Sequence, residues 1–158
     1  MTNTKTNNAT INTNKNANRG VRLETLVLET LGYMQASNYK SHADGYTPNG
    51  QTVQVKCFIG RNKCSISTKY FKQIGYNKSA DEMTIQDMHA VIEKYFSGID
   101  KLILAYSENG EVIDSIIELE HDNAINWVKQ HAKRSYMKYA GGIKYPQIKI
   151  GRTIPKEQ

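Results

Sequence analysis

A short turn between two extended segments constrains the fold of this chain more than any other sequence feature. The tripeptide Pro48-Asn49-Gly50 joins a proline, which presets φ, to two residue types that tolerate positive φ. The flanking segments, Tyr39–Tyr46 and Thr52–Ile59, have the composition of strands. The sequence therefore predicts a β-hairpin in which Asp44 lies opposite Gln54, to within about one residue.

The second strand of this hairpin carries polar residues on one face. Successive side chains of a strand point to opposite faces, so Val53, Val55 and Cys57 share one face. Gln54 and Lys56 share the other face. With Asp44 across the turn, this pair indicates a polar site on a strand that otherwise enters a core.

The hairpin follows a predicted helix over Arg19–Met34. Its apolar stripe has helical spacing and consists of Leu23, Leu26, Val27 and Leu31, with Glu24 beside it. Residues 1–18 are nearly all Thr, Asn and Lys, which predicts a flexible tail because such a segment buries too little apolar surface to order itself. A single domain is expected over residues 19–158.

Further elements follow the hairpin in a regular order. We expect a strand from Cys64, a helix from Thr84 with a capping box to Asp87, strands at Lys101–Tyr106 and Val112–Leu119, a helix capped by Asp122, and a terminal strand at Gln147–Ile150 after an irregular stretch. The buried face of the helix from Thr84 is expected at Ile85, Met88, Val91, Ile92, Tyr95 and Phe96. This order predicts an α+β (α/β) fold, with a mixed central β-sheet flanked by helices.

The charge of the chain favours an anionic partner. The formal net charge is +6 over 158 residues. Asp44 is the only acid between Leu31 and Asp81, and no acid lies between Asp122 and Glu157. Basic stretches segregated in this way are typical of a surface that faces nucleic acid.

Several classes of protein are disfavoured by the sequence. No apolar run approaches the roughly 20 residues of a transmembrane helix, and no signal peptide is evident, so a cytoplasmic protein is expected. Two cysteines, Cys57 and Cys64, do not make a disulfide framework. The histidines and cysteines show no zinc-site spacing.

The polar residues of the hairpin fit a site for a hard divalent cation. Mg²⁺, or Mn²⁺ in its place, prefers oxygen ligands, which Asp44, Gln54 and the Val55 carbonyl would supply. Lys56 would hold or help to deprotonate a metal-bound water and stabilise charge on a phosphate. This set of groups meets the needs of phosphodiester hydrolysis.

These residues resemble the PD-(D/E)XK nuclease superfamily. The pattern of this superfamily begins with an acid on a first helix and an Asp on the first hairpin strand, which correspond to Glu24 and Asp44. On the second hairpin strand it has an acid or polar residue, then any residue, then Lys, which corresponds to Gln54 and Lys56 here. The segment at residues 20–24 is similar to the first helix of archaeal Holliday-junction resolvases and Mrr-like nucleases. The order after the hairpin is similar to type II restriction endonucleases of the PvuII kind.

The resemblance implies a restriction-endonuclease-like core and a Mg²⁺-dependent DNA endonuclease. The expected protein is a type II restriction enzyme that acts on double-stranded DNA as a homodimer. The alternatives are a structure-selective Holliday-junction resolvase or repair nuclease, a nuclease that acts on RNA, and a non-catalytic nucleic-acid-binding protein. The last alternative arises because Gln54 stands where the family usually has an acid.

Contacts to DNA are expected mainly from the basic, Tyr-containing stretch after the second hairpin strand. The candidates are Arg61, Asn62, Lys63, Ser67, Lys69, Tyr70, Lys72 and Lys78, with Lys133, Arg134, Lys138 and Lys144 as a second basic wall.

Each candidate catalytic residue also has an ordinary structural interpretation. Glu24 is equally suited to be an acid near a helix N-terminus, where the macrodipole favours it, and Glu29 competes for its role. Asp44 suits a turn, and Lys56 suits a solvent-facing strand position.

Overall fold

The structure is a computed structural model that describes residues 15–36, 42–67, 69–138 and 144–156, without the side chains of 15–21, 137, 138 and 144. Residues 1–14 of the predicted tail lie outside the described residues, and residues 15–18 belong to the first helix. Contacts divide the chain into two compact units. The first unit comprises the described residues of Met1–Asn62 and of Gly98–His121. The second unit comprises the described residues of Lys63–Ser97 and of Asp122–Gln158. A single domain over residues 19–158 stays a prediction.

The described residues form an α+β fold, as predicted. Their helices are α1 (Lys15–Leu31), α2 (Lys69–Gln73), α3 (Ile85–Tyr95) and α4 (His121–His131), with a 3₁₀ turn at Ala80–Glu82. Their strands are β1 (Met34–Gln35), β2 (Gly45–Tyr46), β3 (Thr52–Ile59), β4 (Cys64–Ile66), β5 (Lys101–Ser107), β6 (Ser115–Glu120), β7 (Ala132–Lys138) and β8 (Lys144–Ile150). Within these residues, no helix has the length and apolar character needed to span a bilayer.

The first unit contains a mixed five-stranded sheet in the order β1-β2-β3-β5-β6. The predicted hairpin is confirmed, because β2 and β3 are antiparallel with Gly45 opposite Val53. Strands β3 and β5 are parallel, and β6 returns antiparallel to β5. Helix α1 covers one face of this sheet, where Leu23, Leu26, Val27 and Leu28 form a buried cluster with Val53, Val55, Ile103, Ala105 and Ile113.

Helix α1 begins at Lys15 rather than Arg19 and ends at Leu31 rather than Met34. Its end is set by Gly32, which has φ +73°. The Gly32 N–H donates to the Glu29 carbonyl at 3.1 Å, and the Tyr33 N–H donates to the Leu28 carbonyl at 2.8 Å. This is a Schellman motif, which closes the helix and frees Met34 to enter β1.

Two predicted strands are shorter than expected. The first hairpin strand was expected from Tyr39, but residues 42–44 form a bend and 39–41 lie outside the described residues. Strand β6 begins at Ser115 rather than Val112. The preceding loop is held by side chains instead, since Asn109 Oδ1 accepts hydrogen bonds from the N–H groups of Glu111 (2.8 Å) and Val112 (3.1 Å).

The second unit contains a three-stranded antiparallel sheet in the order β4-β8-β7. An irregular stretch was predicted before Gln147, but the structure has a second hairpin, β7 with β8. Side-chain alternation explains β8, because Ile148 and Ile150 are buried while Lys149 between them is partly exposed. Propensity alone did not reveal this pairing, since the strands are rich in Lys and contain Pro146.

Helix α3 begins as predicted, and α4 does not. The Thr84 hydroxyl accepts from the Asp87 N–H at 3.1 Å, and the Asp87 carboxylate accepts from the Thr84 N–H at 2.9 Å, which is the expected capping box. Ile85 was predicted to be buried but is 60% exposed. Helix α4 begins at His121, directly after β6, so Asp122 lies in its first turn rather than at its cap.

Candidate active site

Asp44 is held at the edge of β3 by its backbone and its side chain. Its N–H donates to the Val53 carbonyl at 2.9 Å, and its own carbonyl accepts from the Ala36 N–H at 2.9 Å. Its carboxylate oxygen Oδ2 accepts from the Val55 N–H at 2.8 Å. Extending the β2–β3 register by one residue places Asp44 opposite Gln54, as predicted.

Glycine at position 45 allows the chain to pack tightly beside Asp44. A Cβ atom at this position would lie 2.5 Å from the Met34 carbonyl oxygen and 3.0 Å from a methyl group of Leu28. Real Cβ atoms do not approach backbone so closely. Strand β1 can therefore pair with β2, and α1 can approach the hairpin, only because residue 45 has no side chain.

Glu24 of α1 contacts Asp44. The two side chains are hydrogen-bonded, and burial together with the neighbouring Asp44 charge raises the pKa of Glu24 from 4.5 to about 8. The Glu24 carboxyl is therefore protonated at neutral pH and donates to Asp44. Since α1 begins at Lys15, Glu24 lies well inside the helix, beyond the first turn in which the macrodipole acts. Glu29 is exposed, so Glu24 is the α1 acid at this site.

The pKa of Asp44 is also raised, because burial disfavours its charged form. Four groups partly oppose this effect and favour the carboxylate. They are the Val55 N–H, the Glu24 carboxyl, the Lys56 ammonium group and His42. The pair thus shares a proton in a site from which much of the water is excluded.

Lys56 is half-buried on β3. Its positive charge lowers the pKa of Glu24 and of Asp44, although burial outweighs it in both cases. Lys56 is therefore close enough to act electrostatically on both carboxyls, which a fully solvated strand lysine would not do.

Gln54 is only 6% exposed, and its amide Nε2 donates to the His42 carbonyl. This hydrogen bond fixes the plane of the Gln54 amide, and hence the position of the amide oxygen Oε1.

The direction of the Val55 backbone carbonyl follows from the contact of the Val55 N–H with Asp44. The N–H and C=O of one strand residue point to the same side of the strand. The Val55 carbonyl therefore points toward the side on which its N–H meets Asp44.

The site residues suit a hard divalent cation. Glu24 and Asp44 offer carboxylate oxygens, and Gln54 and Val55 carry neutral carbonyl oxygens of the kind that complete such sites. A cation would replace the proton that the two carboxyls share. In the described part of the chain, no group of three or more His, Cys, Asp or Glu side chains forms a metal site. Any site here would thus combine two carboxylates with neutral oxygens.

The residues predicted to contact DNA fall in both units. Arg61 and Asn62 are exposed in the first unit, directly after β3. In the second unit, the exposed candidates are Lys63, Ser67, Lys69 and Lys72. Lys138 ends β7, and its side chain, like that of Lys144, lies outside the described residues.

Three predicted contact residues have structural partners in the second unit. Tyr70 is 6% exposed and packs edge-on against Tyr95, with 5.0 Å between ring centroids, so it belongs to the core of that unit. Lys78 forms an ion pair with Asp87 at 3.6 Å. Arg134 donates to the Asp81 carbonyl at 3.3 Å.

Sequence reasoning missed a basic pocket in the second unit. Lys63 and Lys133 were noted separately, whereas His131, Lys149 and Arg152, which line the same pocket, were not. The alternation of Ile148, Lys149 and Ile150 is a signal that could have placed Lys149 on a polar face.

The sequence was compared with models of protein families and with curated proteins. No model of a protein family matches the chain, and no curated protein matches it.

Proposed function

We propose that this protein is a Mg²⁺-dependent DNA endonuclease of the PD-(D/E)XK type. Its expected form is a type II restriction enzyme that cuts double-stranded DNA as a homodimer. The observation that carries this proposal is the hydrogen-bonded pair of half-buried carboxyls, Glu24 and Asp44, under the positive charge of Lys56.

The carboxyl pair supports a cation site because it is costly to the fold without a counter-charge. Two carboxylates in a desolvated site repel each other, and here a raised pKa and a shared proton relieve that repulsion. Functional sites are where such perturbed groups concentrate. When bound, Mg²⁺ would supply Lewis acidity and lower the pKa of a coordinated water.

The protein groups of the site have separate roles in this proposal. Asp44, oriented by the Val55 N–H, and Glu24 hold the cation. Gln54, oriented by the His42 carbonyl, adds a neutral oxygen. Lys56 stabilises the negative charge that develops on the phosphate, and its ammonium group can exchange a proton with the attacking water.

Cleavage of plasmid DNA in the presence of Mg²⁺ tests this proposal. We expect wild-type protein to cut, and Lys56→Ala to cut at least about a hundredfold more slowly because charge stabilisation is lost. Lys94→Ala, which removes an exposed lysine from α3, is the matched control and should cut like wild type. Thermal unfolding shows whether both variants are folded. Equal cleavage by wild type and Lys56→Ala would refute the mechanism.

The pattern of products separates the kinds of nuclease. Discrete fragments from plasmid DNA support a restriction enzyme. Cutting of branched DNA irrespective of sequence supports a junction resolvase or a repair nuclease, and cutting of RNA alone supports a ribonuclease.

A second candidate, a non-catalytic DNA-binding protein, is favoured by one observation. The Gln54 amide, at the position of a family acid, is engaged with the His42 carbonyl and so serves the local fold. This candidate predicts binding to DNA without cleavage, at any concentration of Mg²⁺ or Mn²⁺.

A further inference from the structure

The second unit contains a pocket lined by positive charge. Its volume is about 260 Å³, and its lining comprises Lys63, His131, Lys133, Lys149, Gly151, Arg152 and Thr153. Four of these side chains are lysine or arginine, and none is a carboxylate. A solvated protein surface usually mixes charges of both signs, so this composition calls for an explanation other than solubility.

The three-stranded sheet brings these cations together. Lys133 of β7 lies directly opposite Lys149 of β8, and Lys149 lies opposite Ser65 of β4. Lys63 precedes β4, while Arg152 follows β8. The pocket is therefore built on paired strands rather than on one mobile loop.

The opposition of Lys133 and Lys149 disfavours the fold unless an anion lies near both. Like charges directly opposite each other on antiparallel strands are destabilising. Ile148 and Ile150 require the register that is observed, because both are buried on the other face of β8. The register needed for packing thus forces the two lysines together, and a bound anion would remove the repulsion.

We propose that this pocket binds a phosphate group that carries two or more negative charges. Lysine and arginine recognise phosphate through charge-assisted hydrogen bonds. The volume is below the range of about 300–1,000 Å³ that encloses a drug-sized ligand, so the pocket suits a phosphate group better than a whole nucleotide. The source of that group is either a free polyphosphate or the terminal phosphate of a nucleic-acid strand.

This site uses none of the carboxyl groups of the candidate active site. Phosphate binding and DNA cleavage can therefore fail independently. Glu24→Gln should abolish Mg²⁺-dependent cleavage and leave phosphate binding unchanged, which separates the two proposals experimentally.

Calorimetric titration with pyrophosphate tests the free-ion source. Fluorescence anisotropy with an oligonucleotide carrying a 5′-phosphate, compared with its 5′-hydroxyl form, tests the nucleic-acid source. We expect Lys133→Gln and Lys149→Gln each to weaken binding about tenfold, because each removes a charge-assisted hydrogen bond. Lys94→Gln, on the exposed surface of the same unit, is the matched control and should bind like wild type.

Each outcome of these titrations either supports or overturns the proposed phosphate site. Pyrophosphate binding that Lys133→Gln and Lys149→Gln weaken supports the site with a free ion as its ligand. A preference for the 5′-phosphorylated oligonucleotide with the same dependence on the two lysines supports it with nucleic acid as the source. The proposal is overturned if neither probe binds, or if a double variant that combines Lys133→Gln with Lys149→Gln binds as tightly as wild type. It is also overturned if Lys94→Gln loses as much affinity as Lys133→Gln or Lys149→Gln. Unchanged unfolding temperatures would show that the variants are folded.

Discussion

The carboxyl of Glu24 on α1 is hydrogen-bonded to the carboxylate of Asp44, just before β2. Asp44 in turn accepts a hydrogen bond from the Val55 N–H on β3. The helix and both strands of the hairpin thus meet at one pair of acids. Because this pair must be relieved of its mutual repulsion by a proton or a cation, its behaviour can be measured without knowledge of any substrate.

The first prediction concerns stability in the absence of metal. The pKa of Glu24 is raised from 4.5 to about 8 in the folded protein, so the folded state holds this proton more tightly than the unfolded chain does. The resulting stabilisation is complete below pH 4.5 and is lost as the pH rises to about 8. Glu24→Gln stays neutral and should therefore gain stability relative to wild type between pH 6 and about pH 9. Urea unfolding in EDTA at both pH values measures this difference, and a constant difference would contradict the pKa shift.

The second prediction concerns competition between Mg²⁺ and the shared proton. A cation needs both carboxyls ionised, so Mg²⁺ should raise the unfolding temperature more at about pH 9 than at about pH 6. Binding at neutral pH should release a proton, which calorimetry in buffers of different ionisation enthalpy detects. The control is Glu24→Gln, in which the shift should be smaller at both pH values. An equal Mg²⁺ effect at the two pH values in wild type would show that the cation binds elsewhere.

The third prediction concerns Gln54. Gln54→Glu restores the acid of the family pattern but cannot donate to the His42 carbonyl. Without metal, the variant should lose about 1–3 kcal/mol of stability, because the hydrogen bond to the part-buried His42 carbonyl is lost and a further negative charge enters the site. With metal, half-saturation should occur at a lower Mg²⁺ concentration than in wild type. Gln86→Glu, the same change at an exposed position in the first turn of α3, should not destabilise the protein, because the macrodipole favours an acid there, and should leave the Mg²⁺ concentration for half-saturation unchanged.

The fourth prediction concerns Tyr70, which the sequence suggested as a DNA contact. Because its ring is buried against Tyr95, Tyr70→Ala should cost about 3 kcal/mol of stability through lost packing and a cavity. The neighbouring exposed residue offers a comparison, since Lys72→Ala should change stability by less than about 0.5 kcal/mol. Denaturant unfolding measures both variants. A neutral Tyr70→Ala would mean that the ring is not part of the core.

Local sequence signals were sufficient to predict the elements whose formation depends on neighbouring residues. The turn at Pro48-Asn49-Gly50 placed the hairpin, and alternation in β3 placed Gln54 and Lys56 on one face. The capping box at Thr84 was found for the same reason. Each of these signals acts over a few residues, so each can be read without knowledge of distant contacts.

Long-range pairing was not predictable in the same way. The strands β7 and β8 are rich in lysine, so propensity suggested an irregular chain, although the sequence Gly141-Gly142 between them is a turn signal that could have indicated a hairpin. The burial of Tyr70 likewise depends on Tyr95, which lies on another helix.

The sequence by itself therefore determined the α+β class, the hairpin and the identity of the polar residues that could carry chemistry. Only the tertiary structure decided that Glu24 rather than Glu29 contacts Asp44, that the two acids share a proton, and that Lys133 and Lys149 face each other in a basic pocket. The physical reason is that periodicity and turn chemistry are local, whereas burial and electrostatic coupling depend on which distant segments the core brings together.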